Sequence, residues 1–160
     1  MKIGIVSDTH GSYKEVAKDL LKHNADVIIH LGDFSDDGRD IGELTNKPIY
    51  YVRGNNDYVA TDDPSELFIN LGGIDFFITH GHKYNVYSGL TNLKFRAKAA
   101  GAQVVLFGHT HVYLEEVSDN ILFINPGSPS YPRFGDEKGY VIFDTDSLKT
   151  ERIFMEENNG

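Results

Sequence analysis

Lys2-Ile3-Gly4-Ile5-Val6-Ser7-Asp8-Thr9-His10 decides how the chain reads. An apolar run stops at an Asp and a His spaced one residue apart. Short apolar runs with polar ends read as buried strands, and open α/β sheets bind ligands in the loops beyond the carboxyl ends of their strands. The same phrase recurs along the chain. Residues 27–31 lead into Gly32-Asp33, residues 49–52 into Gly54-Asn55-Asn56-Asp57, residues 76–79 into His80-Gly81-His82, and residues 104–107 into Gly108-His109-Thr110-His111. Five expected strands thus end in metal-ligand residue types.

Between them the first half alternates strand and helix. Ser12 and Glu15 form a capping-box pattern ahead of Val16, Ala17, Leu20 and Leu21. A second helix is expected at about residues 88–100, with Leu90, Leu93, Ala97 and Ala100 on one stripe and Gly101 at its C-terminal cap. The second half reads as hairpins. Residues 67–71 and 74–79 flank Gly72-Gly73, residues 112–117 and 121–124 flank Ser118-Asp119-Asn120, and residues 140–144 and 148–155 flank Thr145-Asp146-Ser147. Strands outnumber helices and both connection types occur. The expected fold is therefore α/β, a four-layer αββα sandwich with two mixed β-sheets flanked by helices. Residues 1–160 are expected to form a single domain, with residues 156–160 as a frayed tail.

Composition narrows the chemistry. The chain has no cysteine, so metal binding must use oxygen and imidazole donors. A net charge of −9 disfavours long nucleic acids, whose affinity comes from Lys and Arg on phosphates. Bound cations would still let an acidic pocket accept a small phosphate ester. The apolar N-terminus ends at Ser7-Asp8, too soon for a secretory signal, and no run approaches the roughly 20 apolar residues of a membrane span. A cytoplasmic location is expected. The sequence contains no nucleophile elbow, His-Glu-x-x-His helix, P-loop or Gly-x-Gly-x-x-Gly.

Asp8 and His10, one residue apart on a strand-end loop, can grip one ion, and His109 and His111 repeat the spacing. Asp33 is the natural carboxylate to bridge two cations. Taken alone, Asp8 reads as a helix cap. A structural role for all of Asp8, His10, Asp33, Asn55, His80, His109 and His111 would require polar strand ends to converge without purpose, at a desolvation cost. Asp57 reads as an anchor for a neighbouring ligand or turn. His30, inside an apolar run, reads as a core or supporting residue, and His82 as a substrate contact. Arg53, Lys83 and Arg133 are positive groups close in sequence to site loops, with Arg53 and Arg133 taken as candidate phosphate contacts.

In order and approximate spacing, Asp8-x-His10, Gly32-Asp33, Gly54-Asn55-x-Asp57, His80 and Gly108-His109-Thr110-His111 resemble the calcineurin-like metallophosphoesterase signature. Asn125-Pro126-Gly127-Ser128 is similar to the small YfcE/YsnB-type phosphodiesterase branch. The resemblance implies two divalent metal ions per chain. Asp8, His10, Asp33 and His111 would hold one, and Asp33, Asn55, His80 and His109 the other. It implies a phosphodiesterase acting on small phosphate esters by in-line attack of a metal-bridging hydroxide. Mn²⁺ is the first expectation for the metal, with Ni²⁺, Fe²⁺, Co²⁺ and Zn²⁺ as alternatives.

One position departs from the wider superfamily. Asn56 stands where a histidine is thought to protonate the leaving group. An amide cannot act as a general acid, so poor turnover of alkoxide esters is expected. The alternative is a catalytically weak or inactive metal-binding scaffold, like the retromer subunit that shares this fold. A homo-oligomer is compatible with the sequence.

Overall fold

Successive residues of β1 (Lys2–Val6) feed different cores, Ile3 and Ile5 packing between two sheets while Val6 packs beneath a helix. That alternation builds the layers. The computed structural model describes residues 1–57 and 62–156. After β1 come α1 (Tyr13–Lys22), β2 (Val27–His30), α2 (Ser35–Thr45), β3 (Ile49–Tyr51), β4 (Glu66–Leu71) and β5 (Ile74–Thr79). α3 (Thr91–Ala100), β6 (Val104–Leu106), β7 (Tyr113–Ser118), β8 (Ile121–Pro126), β9 (Gly139–Asp144) and β10 (Lys149–Phe154) complete the order.

The strands form two mixed five-stranded sheets, ordered β10-β9-β1-β2-β3 and β4-β5-β6-β8-β7. β1, β2 and β3 run parallel, as do β5, β6 and β8, and antiparallel partners close both sheets. Ile3, Ile5, Ile29 and Leu31 meet Phe76, Ile78, Leu106 and Ile124 between the sheets. Val16, Ala17 and Leu20 of α1 and Ile41 of α2 cover the outer face of the first sheet. Leu93 and Ala97 of α3 cover Phe77, Val105 and Phe123 on the second. This is the αββα sandwich expected from the sequence.

The hairpin of β4 and β5 turns at Gly72-Gly73, pairing Leu71 with Ile74. Between β7 and β8 the turn is tighter than expected. Ser118 pairs with Ile121, leaving only Asp119 (φ 52°) and Asn120 (φ 63°), both left-handed as a two-residue type I′ turn requires.

The helices depart in detail from the sequence reading. The capping box at Ser12 does not form, because Ser12 has φ −83° and ψ 33° rather than extended geometry, and its side chain makes no cap hydrogen bond. A 3₁₀ turn, Val86–Ser88, precedes α3, which starts only at Thr91 and ends as expected at Gly101, φ 72°. α2 contains two glycines. A Cβ at Gly42 would stand 2.8 Å from Ile49 Cγ2, so the bare backbone lets this helix lie close to the sheet. Glu156 is exposed, and the remainder of the expected tail, 157–160, lies outside the described residues.

Candidate metal centre

The backbone bends sharply where the strands end. Asp8 (φ 55°), His10 (φ 45°), Asp33 (φ 55°), His109 (φ 73°) and His111 (φ 59°) all adopt left-handed conformations. Such non-glycine residues cost about 1–3 kcal/mol each and persist where the surroundings over-determine them. Here the bends turn the side chains into one space.

Asp8, His10, Asp33 and His111 offer ligand atoms that all lie within 4.8 Å of one another. Asp8, Asp33 and His111 are buried. His80 Nε2 lies 3.4 Å from Asp33 Oδ1 and 3.8 Å from Asp8 Oδ1. Asn55 Oδ1 sits 3.0 Å from His80 Nε2 and 3.0 Å from His109 Nδ1. His109 and His111 therefore diverge, one toward Asn55 and the other toward Asp8, with Asp33 between the two groupings.

Tautomers show what the space is suited to hold. His80 Nδ1 lies 2.7 Å from the Leu31 carbonyl and His111 Nδ1 lies 2.6 Å from the Tyr131 carbonyl. A carbonyl only accepts, so each Nδ1 carries the proton and, in the neutral ring, each Nε2 presents a lone pair. Those lone pairs face oxygen: Asp33 Oδ1 and Asn55 Oδ1 for His80, and Asp8 Oδ1 at 3.2 Å for His111. A proton or a cation between them relieves the repulsion. Asp8 Oδ1 and His10 Nε2 are also buried without a hydrogen-bond partner, an expense of about 1–3 kcal/mol apiece unless something is bound. Carboxylate, amide and imidazole donors suit Mn, Fe, Co, Ni or Zn, so the residues present fit divalent cations.

The electrostatics agree. Burial pushes the Asp8 pKa up, yet the close approach of His111 and the electrostatic influence of His80 outweigh it and hold the carboxyl below its ordinary value. Burial lowers His10, and burial with the nearby His80 charge takes His109 down to about 4. His111 is raised, because its contact with Asp8 overcomes burial. Ionised carboxylate beside mostly neutral imidazole is the state metal binding requires.

Outer residues hold these groups in place. Asp57 accepts N–H bonds from Asp33 (3.1 Å), Ser35 (2.8 Å) and Gly54 (2.6 Å), tying the Asp33 loop to the start of α2. Gly54 and Gly108 leave no room for a side chain, since a Cβ would collide with the Asp33 carboxylate or with Ser7 Oγ. Gly32 N–H donates to His30 Nδ1 at 3.1 Å, so His30 Nε2 carries the proton toward Thr9 Oγ1 at 3.0 Å, and Thr9 donates to Asp37 Oδ2 at 2.6 Å. His30 is a buried support for the Asp8-His10 loop.

Sequence reasoning missed how residues 125–131 staple the site. Ser128 Oγ donates to the Asp8 carbonyl at 2.9 Å, and Ser130 Oγ to the Thr9 carbonyl at 2.8 Å. Asn125 Nδ2 donates to the Gly108 carbonyl at 3.1 Å and to Thr110 Oγ1 at 2.9 Å. One segment thus clamps both the Asp8-His10 and the His109-His111 loops. The Asn-Pro-Gly-Ser motif was visible in the sequence, but its clamping role was not.

Among the expected substrate contacts, Arg133 is exposed and donates to the Tyr87 hydroxyl, which in turn donates to the His109 carbonyl at 3.2 Å. His82 stacks at 5.4 Å from His80, and burial followed by the positive neighbours His80, Lys83 and Arg53 lowers its pKa. Arg53 is half-buried. Three aromatic residues join the rim: Tyr87, with its ring 4.9 Å from His109, and Phe34 and Tyr131, with rings 4.8 and 5.6 Å from His10.

The family model of the calcineurin-like phosphoesterase superfamily domain matches residues 1–148, and the chain belongs to that superfamily. It is similar to the probable metallophosphoesterase YsnB of Bacillus subtilis, 34% identical over 162 residues, covering 99% of this chain and 94% of the relative. Among solved structures, it superposes on an archaeal phosphodiesterase with a TM-score of 0.81 at 28% identity, covering 96% of this chain and 99% of that one. Zinc-complexed Vps29 from Entamoeba histolytica shares the fold alone, with a TM-score of 0.77 at 16% identity, covering 98% of this chain and 100% of that one. Among the described residues, no helix is long and apolar enough to cross a membrane.

Proposed function

We propose that this chain is a two-metal phosphodiesterase acting on small phosphate esters. The observation that supports it most is the set of buried lone pairs facing one another around Asp33, which two cations would satisfy at once. Asp8, His10, Asp33 and His111 would hold one cation, and Asn55, His80 and His109 the other with Asp33 shared. When bound, such a pair lowers the pKa of water and neutralises charge on a phosphate ester.

The protein's own residues do the rest. The carbonyls of Leu31 and Tyr131 fix which imidazole nitrogen faces the site. Asp57 and the 125–131 segment hold the ligand loops at fixed separation. Arg133, at the rim, and Arg53 and His82, beside the His80 side, orient the phosphate by charge-assisted hydrogen bonds. Asn56 occupies the position where the wider superfamily carries a histidine, and its amide cannot protonate the leaving oxygen. Mn²⁺ is the first choice of metal. The chain works as one domain in the cytoplasm.

A second reading, the weak or inactive scaffold, draws support from Asn56 and from the Vps29 fold likeness. Turnover separates the two. Metal-stripped protein would be titrated with Mn²⁺, Ni²⁺, Fe²⁺ or Zn²⁺ while hydrolysis of bis(p-nitrophenyl) phosphate and p-nitrophenyl phosphate is followed, with Asp33→Ala as control. Metal-dependent diester cleavage lost in the control supports the enzyme. Tight metal binding without turnover of either ester favours the scaffold.

A further inference from the structure

Aromatic carbon faces water around a centre otherwise built of charge and amide. Phe34 is 44% exposed, Tyr87 47% and Tyr131 62%, yet each ring packs on an imidazole of the candidate metal centre. Phe34 and Tyr131 flank His10 on one side. Tyr87 flanks His109 on the other, with the Arg133 guanidinium on its hydroxyl.

Phe34 is the most telling of these. Asp57 dictates the turn by taking the N–H groups of Asp33 and Ser35, leaving Phe34 between them at φ 65°. Glycine or asparagine would make that turn with less strain, and a bulky residue there is an outlier. Burial does not compensate, since nearly half the side chain remains in water. The ring makes sense as a surface awaiting a flat partner.

We propose that Phe34 and Tyr131 on one side, and Tyr87 with Arg133 on the other, form two aromatic subsites that receive the arms of a nucleoside phosphodiester whose phosphate lies over the metal centre. The proposal rests on the phosphodiesterase reading and names its substrate class. A base stacks on an aromatic face whatever its sequence identity, and a guanidinium adds cation–π attraction. A diester has an arm for each side, while a monoester fills one. The net charge of −9 favours a small nucleoside ester over a long polymer.

The test holds the leaving group constant. Full-length Mn²⁺-loaded protein is assayed on thymidine 5′-(p-nitrophenyl) phosphate and on methyl p-nitrophenyl phosphate, which differ only in the arm that stays. The nucleoside ester should be preferred in kcat/KM by about tenfold or more, mainly through KM. Phe34→Ala or Tyr131→Ala should shrink that ratio, and Phe34→Tyr, which keeps a ring, should retain it. Equal kcat/KM for both esters in the wild type, or a ratio untouched by both alanine variants, overturns the subsites.

If neither ester turns over, the phosphodiesterase reading fails and calorimetry decides the subsites separately. Thymidine 5′-monophosphate binding at least about tenfold tighter than methyl phosphate, with the difference lost in Phe34→Ala, upholds them. Equal affinities sink them.

Discussion

Asn56 grips Asp33 twice, donating its backbone N–H to Oδ1 at 3.0 Å and its side-chain amide to Oδ2 at 2.8 Å. The residue standing where a general acid is expected is a donor to the carboxylate at the heart of the site. Its role is to orient, and an amide has no proton to give a departing alkoxide.

Hydrolysis should therefore depend steeply on leaving-group pKa. Asn56→His should flatten that dependence and raise turnover of alkyl esters, with a positioned acid contributing up to about 10²- to 10⁴-fold. Rates would be measured across a series of aryl and alkyl phosphodiesters. Equal wild-type rates on phenyl and alkyl esters would count against the account.

Asp33→Ala should bind fewer cations than the wild type, read by equilibrium dialysis with elemental analysis. It should also lose the thermal gain on metal addition. In the wild type, metal at about 100 times its Kd should add about 2.7 kcal/mol, or roughly 5–10 °C in Tm. A wild-type melting curve indifferent to Mn²⁺ and to chelator would contradict the fit of the site.

Asp57→Asn removes the charge that gathers three N–H groups without touching the metal centre directly. Metal affinity should fall about 10- to 100-fold, as for other supports of ligand loops. Titration with a competing chelator checks it, and an unchanged affinity would mean the Asp33 loop holds its shape without Asp57.

His30 sets a pH dependence of stability. Complete burial lowers its pKa to about 4, against 6.5 for the exposed group. Above pH 6.5 both folded and unfolded chains are neutral at this position and its contribution is complete. As pH falls from 6.5 toward 4 the unfolded chain takes up the proton first, so stability drops by roughly 3 kcal/mol and then levels off. Urea unfolding in chelator at stepped pH should show this slope in the wild type and a shallower one in His30→Gln. Parallel curves would rule it out.

The ligand-type residues are legible because each ends an apolar run, and apolar runs survive as strands whatever surrounds them. Phe76, Phe77, Phe107 and Phe123 read as core and are buried. α2 resists such reading: Gly38 and Gly42 break its pattern, and Ile41 is the one apolar side chain it buries. What makes it a helix is tertiary, an Asp57 carboxylate on its first turn and two glycines set against the sheet. Tyr87 and Phe34 escape for the converse reason. An aromatic residue in a loop looks the same in sequence whether it faces the core or the solvent, and only the assembled strand ends put these rings beside histidines. The Ser12 and Glu15 pattern misleads because a capping box needs extended backbone at its first residue, which the preceding Asp8-His10 bend denies.

The two carbonyls that set the imidazoles belong to the main chain, so the identity of the residue at position 131 has no bearing on how His111 is aimed. Tyr131 can be exchanged for another side chain over generations while its peptide group goes on doing the same job. What the rim recognises is thereby free to diverge among descendants of this chain, and the chemistry beneath it is inherited intact.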